Sequence, residues 1–285
     1  MELNKSALGK PTQYTAQYSP ELLFPIPRSL SRDALNLNNQ QLPFFGIDLW
    51  NHYEVSWLNL HGKPQVALAI IEVPALSPCI IESKSMKLYF NSFNNQRLAS
   101  AEQLLIYLRE DLSKAAGASV TVKLLAVDTD QFFITSPAGV CLDEIDVTIE
   151  DYQVNSQLLN LNSSLDLDNS PSLNGSAIVT ETLYSNLLKS NCPVTEQPDW
   201  ASVIVNYSGT KINHAGLLKY IISFRNHNEF HEQCVERIFC DIMRSCTPSS
   251  LTVMARFTRR GGIDINPIRS TNPHYPILNQ RLIRQ

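Results

Sequence analysis

A chain of 285 residues with 44% hydrophobic and 18% charged residues is neither a short peptide module nor globally disordered, and it can bury a substantial core as one large domain or as two packed modules. Its formal net charge of -4 leaves no excess of Lys and Arg to cover a long phosphate backbone, which argues against direct nucleic-acid binding while allowing a local basic patch. Six cysteines, at 79, 141, 192, 234, 240 and 246, form no CxxC pair, and Met1 to Pro20 lacks a secretory h-region, so a cytoplasmic protein with reduced thiols is expected.

In chain order, Tyr53 to Leu60 and Pro64 to Val73 have strand composition. The apolar run Val66 to Ile71 is too short to cross a bilayer and reads as a buried strand, so no membrane association is expected. Ala101 to Ala116 carries Leu104, Leu105, Leu108 and Leu112 at helical spacing, and Val120 to Val127 returns to strand. Residues 153 to 176 are crowded with Asn, Ser and Asp, which favour turns, and the connection between modules is placed there. Beyond it, strands are expected near Ala177 to Tyr184 and Ala201 to Tyr207, helices from about His214 to Phe224 and Glu229 to Arg244, and a strand at Leu251 to Phe257. The order of elements predicts an α+β protein of two related halves, residues 1–152 and 177–285 flanking the connection at 153–176.

Three clusters could carry chemistry. Ser190 to Trp200 places Cys192 and Asp199 on a short loop framed by Pro193 and Pro198. A thiol and a carboxyl on one constrained loop suit a nucleophile and a proton donor facing one reacting atom. The same residues also fit an inert buried Cys and a turn-forming Asp. In Arg225 to Glu232, Asn228 is a candidate N-cap and His231 precedes Val235, Ile238 and Ile242 on an inward helix face, where the positive end of the dipole disfavours imidazolium. A core His and a first-turn acid, Glu232, are the alternative. Ile81 to Phe90 gathers Glu82, Ser83, Lys84, Ser85 and Lys87, a possible phosphate grip or simply a solvated strand or loop face. Arg256, Arg259 and Arg260, followed by Gly261 and Gly262, offer guanidinium groups beside flexible backbone.

No GxGxxG, Walker loop or GxSxG elbow is present. His231 to Cys234 has a spacing that zinc ligands can use, but no second ligand pair accompanies it, and no metal is assigned.

Together the clusters resemble the NADPH-dependent 7-cyano-7-deazaguanine reductases, the nitrile reductases of queuosine biosynthesis, in their long two-module form. Glu82 through Tyr89 meets the hallmark pattern of that family at every position, as do Cys192-Pro193-Val194-Thr195, Gln197-Pro198-Asp199, Phe230-His231-Glu232 and Arg260-Gly261, and the likeness runs from about Pro27 to Arg284. The resemblance implies a tunnelling fold, antiparallel sheet with helices on one face in two tandem modules, and a homodimer. It implies Cys192 as the nucleophile that forms a thioimide, Asp199 as general acid and His231 as a further catalytic group. The deazapurine substrate would meet Ile81, Glu82, Ser83, Phe230, His231 and Glu232, and NADPH would meet Ser83, Lys84, Arg260 and Gly261. A zinc-dependent GTP cyclohydrolase-like relative of the same fold is disfavoured because Thr195 stands where a CxxH pair beginning at Cys192 would need His. A non-enzymatic purine-binding or scaffold protein leaves the Cys192 loop and Asp199 without a role.

Overall fold

The computed structural model describes residues 14–15, 17–38, 41–130, 133–150, 152–161 and 178–285. Most of the expected connection, 162–176, and the first thirteen residues lie outside them. In chain order the elements are β1 (Pro25–Pro27), α1 (Ser29–Arg32), β2 (Phe45–Leu58), β3 (Pro64–Pro74), β4 (Cys79–Ile81), α2 (Ser83–Asn91), α3 (Ala101–Ala116), β5 (Thr121–Leu125), β6 (Ile134–Thr135) and β7 (Val140–Cys141). Then follow β8 (Ile178–Asn191), β9 (Pro198–Thr210), α4 (His214–Ser223), α5 (His231–Cys246), β10 (Ser250–Phe257), β11 (Ile263–Ser270) and β12 (Arg281–Leu282).

One eight-stranded sheet, in the order β5-β3-β2-β11-β10-β9-β8-β7, organises the chain. Its pairs are antiparallel except the short β7–β8 contact. β2 from the first half pairs with β11 from the second, with Trp50 opposite Ile265 and Asp48 opposite Pro267, so the sheet runs unbroken from one half to the other. The expected α+β class and antiparallel sheet are both present.

Period-2 alternation decides which face the helices cover. Leu183, Val205 and Val253 lie opposite one another on β8, β9 and β10, and Trp50 and Ile71 do so on β2 and β3. These residues belong to two apolar clusters on one face of the sheet. Helix α3 supplies Leu104, Leu108 and Leu112, fully buried at i, i+4 spacing, to one of them. Each such side chain contributes about 1.5–3 kcal/mol by leaving water. Ser100 caps that helix by accepting from the Gln103 N–H, and Gly117, with φ 71°, ends it. Helices α4 and α5 bury Leu217, Ile221, Val235, Ile238 and Ile242 in the other cluster.

A buried charge seam lies on the same face. Arg269 of β11 stands opposite Val253, yet it bridges Asp48 at 2.8 Å and Glu236 of α5 at 2.9 Å. Arg32 reaches Glu236 at 2.7 Å, and Arg28 also pairs with Asp48. Charges this deep persist only in matched sets.

Several boundaries differ from expectation. The Glu82–Phe90 stretch is the N-cap and nearly the whole of helix α2 and not a charged strand or loop face, because the Glu82 carboxylate accepts from the Lys84 and Ser85 backbone N–H groups and nucleates the turn. α5 starts at His231 with Phe230 in the cap position, two residues later than the expected start at Glu229 capped by Asn228. The Asn228 side chain accepts instead from Asn191 Nδ2 at 2.9 Å. Val66 is 59% exposed while Ala67, Ala69 and Ile71 are buried, so that run is a half-buried strand. β11 was not expected at all; Pro267 within it argues against a central strand.

Candidate active site

Four segments converge at the junction of the halves. β8 and β9 form a hairpin whose turn carries Cys192, closed by the Cys192 N–H to Gln197 carbonyl bond at 2.9 Å and the Glu196 N–H to Cys192 carbonyl bond at 3.0 Å. Glu196 takes a left-handed φ of 57° there. Asp199 is the second residue of β9, so strand pairing and not a free loop fixes its carboxyl relative to the thiol. The start of α5 brings Phe230, His231 and Glu232, and the junction of β4 with α2 brings Ile81 and Ser83. The turn between β10 and β11 brings Thr258, Arg260 and Gly261.

A narrow inner recess is lined by Ile80, Ile81, Ser83, Cys192, Asp199, Phe230, His231, Glu232, Arg260 and Ile265. It shares Ser83, His231, Arg260 and Ile265 with a wider cleft of about 290 Å³ whose wall adds Lys84, Lys87, Thr195, Gln197, Thr258 and Gly261. Every residue expected at the site lines one or the other except Glu82. That carboxylate is 1% exposed and bonded to the first turn of α2; burial raises its pKa, opposed by those N–H groups. Lys87 stood in the charged cluster without an assigned contact, and Gln197, Thr258, Ile263 and Ile265 were given no role at the site. Helical spacing would have found Lys87, one turn beyond Ser83 and Lys84 on α2, whereas the two isoleucines reach the site only through the sheet.

The electrostatics separate the acids. Asp199 Oδ1 lies 2.9 Å from Arg260 Nη1 and 3.6 Å from His231 Nε2. The guanidinium approaches off the hydrogen-bonding direction, and Oδ1 has no hydrogen-bond partner although it is buried. Arg260 also donates to Gln197 Oε1 at 3.1 Å, so it is engaged with the Cys192 turn as well as facing the cleft. Burial lowers the His231 pKa to about 4, with Asp199 opposing and Arg260 adding to the shift. The ring is therefore neutral near pH 7, and it meets Phe257 edge-on at 4.0 Å. Burial, reinforced by the charge on Asp48, pushes the Glu232 carboxyl up to about 8. Cys234 and Cys240 are buried thiols with raised pKa values, which makes them poor nucleophiles.

A family model described as "Nitrile reductase, 7-cyano-7-deazaguanine-reductase N-term" matches residues 14–124, and one described as "QueF-like protein" matches residues 198–275. Over 282 residues the chain is 53% identical to the NADPH-dependent 7-cyano-7-deazaguanine reductase of Coxiella burnetii (strain Dugway 5J108-111), covering 99% of this chain and 97% of that one. The chain belongs to this reductase family. The protein of the same name from Legionella pneumophila (strain Corby) is 52% identical over 285 residues, covering 99% of this chain and 95% of its own. Among solved structures, the apo form of the archaeosine synthase QueF-Like aligns with a TM-score of 0.30 at 16% identity, covering 36% of this chain and all of that one. The reductase's Cys192 lies between the two matched regions, whereas Asp199, Phe230, His231, Glu232 and Arg260 lie inside the second.

No helix among the described residues is long and apolar enough to cross a membrane. Among them, no cluster of three or more His, Cys, Asp or Glu side chains is placed to hold a metal ion.

Proposed function

We propose that this chain reduces the nitrile of 7-cyano-7-deazaguanine to the aminomethyl group with NADPH, through a covalent thioimide on Cys192, as a step in queuosine biosynthesis. The observation that carries the reading is the recess in which a thiol, a buried carboxyl, a neutral imidazole, an aromatic ring and a second carboxyl converge, opening on a cleft that holds Lys84, Lys87 and Arg260.

The thiol of Cys192 adds to the nitrile carbon and its proton passes through Asp199 to the nitrile nitrogen, giving a neutral thioimide. The ring of His231, neutral near pH 7, then serves proton transfer as the thiolate leaves and the imine gains its second hydrogen pair. NADPH supplies the hydrides, two for each nitrile. Lys84, Lys87 and Arg260 would hold its phosphates at the cleft, with Ser83 and the Gly261 backbone beside them; ammonium and guanidinium donors suit those oxygens.

Glu232 accepts from the adjacent amino and ring N–H groups of the base, and Phe230 stacks on its face. Both halves of the chain supply residues to the site, in keeping with a division into a module before residue 153, a connection to 176 and a catalytic module from 177. A homodimer in the cytoplasm completes the reading.

Incubating the protein with the nitrile and NADPH tests it. The expected result is cofactor oxidation at two equivalents per nitrile, and a mass adduct on Cys192 when cofactor is withheld. The absence of both oxidation and adduct would overturn the reading.

A further inference from the structure

β8 ends at Asn191, the residue before the Cys192 thiol. Four hydrogen bonds beyond the sheet converge on it. Its N–H donates to the His227 carbonyl at 2.8 Å, and its carbonyl accepts from the Glu229 N–H at 3.0 Å. Its Oδ1 accepts from Lys189 Nζ at 2.6 Å and its Nδ2 donates to Asn228 Oδ1 at 2.9 Å. Lys189 Nζ donates as well to the Arg225 carbonyl at 2.6 Å.

The segment gripped in this way leads straight into Phe230, His231 and Glu232, and it is itself fastened to α5. The Glu229 carboxylate, 6% exposed, accepts from Arg237 Nε at 3.0 Å and Nη2 at 2.9 Å, and lies 3.0 Å from His227 Nε2. The backbone bonds inside the Cys192 turn, by contrast, are local to it, and Arg260 ties its Gln197 side chain to the β10–β11 turn, not to α5.

We propose that Asn191 is a positioning residue that sets where the Cys192 sulfur stands relative to a base held at the start of α5. The inference rests on the function proposed above. Nucleophile and base reader sit on segments nearly forty positions apart, so their separation is fixed by whatever joins those segments. A small misplacement of the sulfur reduces the rate of attack without changing how well the base is held.

The test uses the full chain. Asn191→Ala deletes the two side-chain bonds and leaves the backbone pair. Asn191→Asp keeps one oxygen for Lys189 and offers the other to Asn228, whose amide can turn over and donate. Base affinity is read by titration with 7-deazaguanine, which lacks the nitrile, and the saturated rate of adduct formation is read by quenched intact mass without NADPH. In Asn191→Ala the adduct rate is expected to fall roughly tenfold while base affinity stays within about twofold, and Asn191→Asp should restore the rate to within about twofold of the parent. An unchanged rate in Asn191→Ala overturns the inference, as does an equal loss of base affinity that Asn191→Asp fails to restore. Should Asn191→Ala not fold, Asn228→Ala removes only the exposed partner of the Asn191 amide, and the same two readouts apply: a slowed adduct at unchanged affinity supports the role and an unchanged rate overturns it. A parent protein that forms no adduct sinks the functional reading itself, whereas a reactive parent beside an equally fast Asn191→Ala sinks the positioning role alone.

Discussion

Arg260 Nη1 stands 2.9 Å from Asp199 Oδ1, which joins a residue expected to meet the cofactor to the residue expected to donate the proton. Arg260→Ala is therefore expected to weaken NADPH binding and also to change the rate of adduct formation measured without cofactor. Lys84→Ala, which alters the cleft wall away from Asp199, should weaken only NADPH binding. Calorimetric titration of the cofactor and intact-mass kinetics of the adduct separate the two. Equal adduct rates in the parent and both variants would mean that the Arg260–Asp199 pair has no part in the chemistry.

Cys192→Ala should abolish turnover and the nitrile adduct, because it removes the one cysteine that lines the recess. Cys240→Ala should retain both, since that thiol is buried in the core cluster of α5 and burial pushes it up to about 11. Peptide mapping of the adduct checks this, and a persistent adduct in Cys192→Ala would refute the nucleophile.

Asp199→Asn should bind the base almost as well as the parent while adduct formation slows by roughly 100-fold or more, the scale of a lost general acid. Glu232→Gln should do the reverse, losing roughly 1–3 kcal/mol of base affinity because one donor of the base then faces an amide N–H. Comparing the equilibrium titration with single-turnover adduct kinetics shows which carboxyl does which job. A native adduct rate in Asp199→Asn would show that another group protonates the nitrogen.

Base affinity should rise with pH. Glu232 accepts two donors only as a carboxylate, and in the empty site its carboxyl titrates at about 8. Below that value binding must expel a proton, so affinity should climb about tenfold per pH unit until it levels above the Glu232 pKa. His231, at about 4, stays neutral throughout the range and adds no slope. The same shift has the opposite effect on folding. The folded state holds a proton that the unfolded chain has lost between 4.5 and about 8, so this group's contribution to stability is full below 4.5 and declines as pH rises through 8. Both trends should flatten in Glu232→Gln; a pH-independent affinity in the parent would contradict the assignment.

Glu236→Leu removes the partner that Arg32 and Arg269 share at 2.7 and 2.9 Å. It should cost about 3–5 kcal/mol of folding stability, because the buried Arg32 guanidinium loses this carboxylate and Arg269 is left with Asp48, which Arg28 also shares. Urea unfolding measures it. A loss within 1 kcal/mol, on the scale of an exposed pair, would show that the seam is already solvated.

Much of this protein can be read along the chain because the signals are local. The leucines of α3 recur at i, i+4 between Ser100 and Gly117, so that helix begins and ends where its caps and apolar spacing place it. The loop with Cys192 and Asp199, the Phe230-His231-Glu232 run and the Arg260-Gly261 pair are each short, contiguous patterns, and the structure gathers them at one site. What tertiary structure decided are matters of register and burial. Ile265 comes to the site because β11 pairs with β2 across the junction, a contact between residues some two hundred positions apart that leaves no periodic trace. Glu82 looked equivalent to Glu232 as an acid in a motif, yet the backbone spends the first as the cap of α2, while the second is left in a desolvated recess against Asp48, where its proton is held to about 8. Residue type sets what a side chain can do; the low-dielectric surroundings and partners that fix its charge exist only once distant segments pack.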